Sequence, residues 1–261
     1  MLNLLKILRR SIKSLAHRFF PYLFVSTGYS RVGDSEVESE SRRLSGAWGS
    51  HLIPAKQRRI VNRELIKYRS GKLNVNFDSI VDAIKMSVSS TNSKTSILEI
   101  GCSSGYYYEV FAIAGLNIEY TGVDYSPYLI EMARKYYPNS RFEVNDAQHL
   151  KFSDSSFELV ISGCCLLHIP DYEKAIAESV RVASRRVIFH RTPVIWGEDT
   201  KYYRKYAYGV ETIEIHFNEK YFLGLLKKYG LKVVNSYTLS QFGAVHLGGA
   251  IKTYLCEKVS P

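Results

Sequence analysis

What the chain lacks narrows it first. Cysteine is scarce, at positions 102, 164, 165 and 256 of 261 residues, with no metal-ligand spacing and two of the four adjacent in an apolar run. That excludes a zinc module and a disulfide-stapled fold, and fits reduced, packed thiols in a cytoplasmic protein that needs no metal. No run of 18 uncharged apolar residues exists, so no spanning helix is expected. A cleaved signal peptide is disfavoured because the early charges interleave with apolar residues instead of preceding them. There is no GxGxxG run, which weakens a dinucleotide reading. No internal repeat is found, and no basic stripe alternates with aromatics in the core, so nucleic acid is disfavoured as a partner.

Acid is missing from residues 1–24, which hold Lys6, Arg9, Arg10, Lys13 and Arg18. Half of the formal charge of +10 therefore sits in the first tenth of the chain. With Leu2, Leu5, Leu8, Ile12 and Leu15 at helical spacing, residues 1–24 read as a basic amphipathic helix. Such a helix can lie on the inner face of a membrane, dock on a partner, or pack on its own domain. Residues 25–54, rich in Ser, Gly and charge, read as a linker. Residues 55–92 read as a helical cover, with one helix stopped at Gly71 and a second starting near Asp78. Trp48 and Gln57 at the entrance to this cover could form a lid over a ligand.

From residue 93 to 261, strands and helices alternate. TSILEI, IEYTGVD, RFEV, SFELVIS and RRVIFH read as five strands separated by helices, which argues for a parallel sheet with helices on both faces. Residues 192–217 form an aromatic insertion too long for an ordinary connection. The last two apolar runs, LKVVNSYTL and IKTYLCEKV, have no helix between them and read as a hairpin at a sheet edge.

The stretch ILEIGCSSG, residues 97–105, reads as a ligand turn: a buried strand, small residues, then a helix start whose N–H groups converge on one point. Three acids fall at or beside successive strand ends: Glu99, Asp124 and Asp146. Asp124 stands where a carboxylate after a second strand can accept hydrogen bonds from both hydroxyls of a ribose. Glu99 beside the turn would repel a pyrophosphate and attract an amine, so an amine-bearing nucleoside fits better than NAD.

Together these motifs resemble those of class I S-adenosylmethionine-dependent methyltransferases. The similarity spans residues 55–258, and Ser103 stands where the family's first motif carries its middle glycine. The resemblance implies a Rossmann-like, seven-stranded, mostly parallel α/β sheet ending in an antiparallel hairpin. It implies S-adenosyl-L-methionine as cofactor, bound by Glu99, Gly101, Cys102, Ser103, Gly105, Asp124, Tyr125, Asp146, Ala147 and Gly163. The segment SGCCLLHIPD would face the transferred methyl, which makes His168 the candidate base, with His190 and His216 behind it. The segment has neither the Asn/Asp-Pro-Pro-aromatic pattern of base-amino methylation nor the proline expected beside a cytosine-attacking cysteine, so Cys164 and Cys165 read as structural. The aromatic insertion would form the acceptor pocket around Tyr202, Tyr203, Tyr208 and His216. The acceptor expected is a small molecule or sugar-like compound. An RNA or protein methyltransferase, or a non-catalytic cofactor-binding scaffold, is the alternative.

Overall fold

The computed structural model describes residues 26–88, 93–243 and 248–259, and the basic helix expected over residues 1–24 lies outside them. Its first element is a strand, β1 (Ser26–Arg31), and a short helix follows, α1 (Val37–Leu44). Both fall inside the stretch whose composition reads as a linker. The composition misleads because these elements have little apolar content of their own. β1 is ordered by pairing with an edge strand elsewhere in the chain, and α1 by Arg42–Glu38 and Arg43–Glu40 ion pairs at 2.7 Å on its exposed face, with Leu44 turned inward.

The cover consists of α2 (Ile53–Arg69) and α3 (Val75–Lys85). The second of these starts one turn earlier than Asp78 suggests. Asn74 is its cap, accepting from the N–H groups of Asn76 and Phe77, while Asp78 reaches back to the Asn74 N–H at 2.8 Å. Cap and first-turn acid together satisfy N–H groups that the helix start leaves open.

The apolar runs that follow become strands buried on both faces: β2 (Thr95–Ile100), β3 (Ile118–Asp124) and β5 (Phe157–Gly163), with the shorter β4 (Arg141–Val144) beside β3. They lie parallel in the order β4-β3-β2-β5, and β6 (Ala183–Ile195) extends the sheet beyond β5, also parallel. A hairpin of β9 (Leu231–Phe242) and β10 (Gly249–Lys258) closes that edge, β10 running antiparallel to β6. Helices cover both faces. Ile80, Ile84, Val110, Phe111 and Ile130 from α3, α4 (Tyr106–Ile113) and α5 (Pro127–Tyr136) pack on one side. Ile176, Val180, Phe222 and Leu226 from α6 (Tyr172–Val182) and α7 (Glu219–Lys228) pack on the other. Each such side chain contributes about 2 kcal/mol by leaving water. These strands and helices are the doubly wound architecture that the alternation predicts.

The strand count differs from the expected seven. The insertion folds as a hairpin of β7 (Lys201–Ala207) and β8 (Val210–Asn218), to whose outer edge β1 adds antiparallel. Tyr208 and Gly209 form its two-residue turn, both at positive φ (53° and 94°), the geometry that matches the twist of paired strands. The hairpin joins the main sheet through a short parallel pairing, Val194 with Phe217 and Ile195 with Asn218, which gives ten strands in all among the described residues. No helix among those residues is long and apolar enough to cross a membrane.

Candidate functional site

The turn after β2 is held by steric exclusion. Gly101 sits at φ 73°, and a Cβ there would lie 2.3 Å from the Cβ of Cys165. Gly105, at φ 72°, caps α4, and a Cβ there would meet the Phe142 ring at 2.7 Å. Between them Ser103 takes the left-handed conformation (φ 55°) and donates its backbone N–H to Asp124 Oδ2 at 3.0 Å. The other Asp124 oxygen accepts from the Ser126 N–H at 2.9 Å. Burial pushes the Asp124 carboxyl up to about 6, and these backbone N–H groups oppose the rise. The cover is fastened to the same turn: the Ser103 hydroxyl bonds to Gln57 Oε1, and the buried Arg58 reaches the Ser104 carbonyl at 3.4 Å.

Above this turn opens a cavity of about 780 Å³. One end is lined by Gly101, Ser103, Asp124, Tyr125, Asp146 and Ala147. Gly163 also lines it, and the wall continues through Trp48, whose backbone meets the Tyr125 phenol and whose ring meets His168, to an opposite end formed by His168, Arg191, Lys205, Tyr208 and Glu214. The turn is thus brought together with the acids of β3 and β4 and with His168, around one space.

Several residues singled out in the sequence stand elsewhere. Cys102 and Gly105 are buried supports of the turn and do not line the cavity. Glu99 is fully buried and also off the lining; its Oε2 accepts from the Tyr120 hydroxyl, and its Oε1 has no partner. A Cβ on Gly163 would come within 2.6 Å of that free oxygen, so a glycine in the cavity wall is what leaves room beside it. Burial raises the Glu99 carboxyl to about 8, which makes it mostly protonated at neutral pH, unlike the charged group the sequence suggests. Of the four insertion residues, only Tyr208 lines the cavity. Tyr202 packs on the main apolar cluster, and Tyr203 and His216 stack on each other with ring centres 4.7 Å apart.

His168 lies on a single 3₁₀ turn, Leu166–His168, at the cavity wall. Its Nδ1 bonds to the Ile213 carbonyl at 2.7 Å. A carbonyl only accepts, so Nδ1 carries the hydrogen and Nε2 presents a lone pair. Burial lowers its pKa to about 4, with Glu214 acting in the opposite direction, so the ring is neutral at physiological pH. Trp48 covers it with ring centres 4.6 Å apart. His190 is different: both nitrogens are engaged, with Tyr107 at 2.7 Å and Thr253 at 2.8 Å, and it is buried. His216 is engaged by Glu214 at 3.2 Å.

The structure adds groups that the sequence did not reveal. Glu214 receives Lys205 at 2.6 Å and the Tyr29 hydroxyl at 2.9 Å. Burial would raise its carboxyl, but His216 and Lys205 outweigh that and hold it near 2. Lys205 and Glu214 meet diagonally across a hairpin, two residues out of register, and Tyr29 arrives from β1, so no local pattern links them. Arg191 also lines the cavity; its one signal in sequence is a basic residue just beyond the apolar run of a parallel strand. Backbone conformation supplies a further marker. Five described residues other than glycine have positive φ, and four of them, Ser103, Cys164, Arg191 and Tyr208, line this cavity. Left-handed backbone costs about 1–3 kcal/mol per residue and collects at functional sites.

The space suits a nucleoside cofactor. Asp124 retains acceptor capacity beyond the backbone N–H groups of Ser103, Tyr125 and Ser126, and the buried Asn145 Nδ2 and Trp48 Nε1, both on lining residues, have no protein partner among the described residues. Residues 98–189 match the family model of the methyltransferase domain. Over 86 residues the chain is 30% identical to a demethylmenaquinone methyltransferase of Renibacterium salmoninarum, a match covering 33% of this chain and 35% of the relative. Over 92 residues it is 33% identical to the Staphylococcus aureus (strain JH9) protein of the same name, covering 34% and 38%. The chain thus spans little more than a third of the length of the curated relatives it matches. Among solved structures, an S-adenosylmethionine-dependent methyltransferase of Methanosarcina mazei aligns with TM-score 0.53 at 20% identity, over 68% of this chain and 97% of that one. The 1,6-didemethyltoxoflavin-N1-methyltransferase of Burkholderia thailandensis, solved with 1,6-didemethyltoxoflavin and S-adenosylhomocysteine, aligns with TM-score 0.51 at 16% identity, over 79% and 91%. At such identities the likeness establishes the fold.

Proposed function

We propose that this chain, whose residues 98–189 form a methyltransferase domain of the class I type, transfers the methyl group of S-adenosylmethionine to a small-molecule acceptor held at the Trp48–His168–Tyr208 end of the cavity. One observation carries the reading: the β2 turn and the β3 carboxylate are joined by the 3.0 Å Ser103–Asp124 bond at one end of the same cavity that holds His168 at the other. The chemistry that S-adenosylmethionine supplies when bound is an activated methyl group.

The chain's own part is to bind, orient and manage a proton. Asp124 accepts from the ribose hydroxyls through the lone pairs that its backbone partners leave open. The Gly101–Ser103 turn receives the methionine portion, and Asp146 with Ala147 meets the adenine. At the other end Trp48 and Tyr208, in contact with ring centres 5.8 Å apart, form an aromatic wall against which a flat acceptor packs. His168 Nε2 takes the proton of an acceptor hydroxyl or amine, while its Nδ1–H is pinned by the Ile213 carbonyl. Alignment of the two ligands in one enclosed space supplies most of the rate. Relatives named for demethylmenaquinone and 1,6-didemethyltoxoflavin support an acceptor of this size class.

The test is to incubate the protein with methyl-labelled cofactor and fractionated cell extract. Label is expected in a low-molecular-weight fraction; label in protein or RNA alone would overturn the acceptor assignment. Asp124→Ala is expected to weaken S-adenosylhomocysteine binding at least tenfold, about 1.4 kcal/mol, and unchanged affinity would remove the ribose role.

A further inference from the structure

The register of β6 against β10 contains an irregularity beside the cavity. Phe189 pairs with Tyr254 and Thr192 with Lys252, so His190 and Arg191 together face the single residue Thr253. This is a β-bulge, and its second residue, Arg191, is left-handed at φ 58°. Bulges re-aim side chains, and the two bulged residues here diverge. His190 is buried and engaged by Tyr107 and Thr253, while Arg191 lines the cavity. The strand edge is also open at this point, because β5 leaves β6 at the Gly163–His190 pair and β8 joins it only at Val194. Arginine in the left-handed region is strained, and glycine would relieve that strain.

The surroundings of Arg191 do not neutralise it. None of the ion pairs among the described residues includes its guanidinium, and the groups that act on it are the Cys164 thiol and the phenols of Tyr107 and Tyr106. Its charge in turn reaches His168 and Tyr208. Glu214, the acid at this end of the cavity, is already matched by Lys205 at 2.6 Å. With His168 neutral, Arg191 and Lys205 against Glu214 leave one positive charge uncompensated at the acceptor end. A partly desolvated guanidinium without a counter-charge is costly, and a carboxylate can meet its fork with two parallel hydrogen bonds.

We propose that Arg191 is an acceptor-binding residue, and that the acceptor carries a carboxylate which docks on its guanidinium. The proposal rests on the methyl-transfer reading for calling the ligand an acceptor. The donor itself carries a carboxylate, so the assignment is to one ligand of two. Position favours the acceptor. The donor's carboxylate belongs to its methionine portion at the β2 turn, and Arg191 on β6 lies two strands from β2 in the order β2-β5-β6, about 10 Å at the usual strand spacing. Its charge is felt by His168 and Tyr208 as well as by Tyr106 and Tyr107 at the start of α4, and it is absent from the influences on Asp124.

The test uses the whole protein, with and without saturating S-adenosylhomocysteine, and a panel of aryl carboxylates (benzoate, 4-hydroxybenzoate, phenylacetate, 2-naphthoate), each paired with its neutral amide. At least one carboxylate is expected to bind tenfold or more tightly than its amide. Arg191→Met is expected to erase that preference while leaving S-adenosylhomocysteine affinity within twofold, which also shows that the variant is folded. A panel with no carboxylate preference would overturn the proposal, and that comparison needs no variant. A tenfold loss of S-adenosylhomocysteine affinity with carboxylate preference intact would also overturn it, assigning Arg191 to the donor. Should Arg191→Met fail to fold, Arg191→Gln carries the same expectations. Wild-type protein that binds no S-adenosylhomocysteine, yet keeps the carboxylate preference, would sink the methyl-transfer reading and leave the anion site standing.

Discussion

At one end of the cavity the polar groups come from turns at the carboxyl ends of three adjacent parallel strands, all between Gly101 and Ala147. At the other they come from a cover residue, Trp48, a 3₁₀ turn at His168, a bulge at Arg191 and a hairpin contributing Lys205, Tyr208 and Glu214. The first end is local in sequence and fixed by glycines that admit no side chain. The second is assembled from distant segments and fixed by ion pairs, aromatic contacts and left-handed backbone. The contrast says that the Gly101–Ala147 end is sensitive to single atoms in the turn, while the other end derives its character from which elements converge.

The largest effect expected is at Gly101, where an added methyl would overlap Cys165. Gly101→Ala should abolish S-adenosylhomocysteine binding, more than a hundredfold by calorimetry, or unfold the domain. A mild effect would break the contrast, because the Gly101–Ala147 end would then tolerate repacking. A smaller effect, confined to turnover, is expected at the opposite end. His168→Ala should lower turnover about a hundredfold while S-adenosylhomocysteine affinity stays within twofold. Because its pKa is held near 4, the neutral base persists as pH falls, so the acidic limb assigned to His168 should lie near 4 and not near 6.5. Equal turnover in the variant would return His168 to the wall.

The smallest effect concerns Glu99. Its folded carboxyl is raised to about 8 from an ordinary value of 4.5, so between those values the folded state holds one proton more than the unfolded state. Stability from this group is therefore lost as pH rises from about 5 to 8. Glu99→Gln should remove that slope, and the melting temperature of the variant relative to wild type should rise by a few degrees across that range. A constant difference would mean that Glu99 is ionised in the fold.

The contrast also explains what could be read from the sequence. The Gly101–Ala147 end of the cavity was legible as a set of turns because strand, turn and capping residues announce themselves locally: Asp124 closes an apolar run, and Gly101 and Gly105 bracket small residues. The doubly wound sheet was legible for the same reason. The segment holding β1 and α1 was not, since its order comes from pairing with β7 and from surface ion pairs. Tyr203 and His216 looked like acceptor residues because they are aromatic and lie in the insertion, and they share a strand face with Lys205 and Glu214, yet they sit one pleat further along the hairpin, packed on each other and off the cavity lining. Glu99 was correctly placed at the turn, but its protonation depends on complete burial, which no spacing reveals. Arg191 was hidden because a bulge changes the direction of a strand residue without leaving any pattern in composition.

The division of β6 has one more consequence. Before the bulge this strand is locked between β5 and β10; after it, among the described residues, only Val194 and Ile195 pair the β7–β8 hairpin with the main sheet in parallel. Substitutions or length changes in β7 and β8 therefore have few hydrogen bonds through which to disturb the turns of β2 to β4. One hairpin can thus be exchanged with little change to the turns that carry Gly101, Asp124 and Asp146.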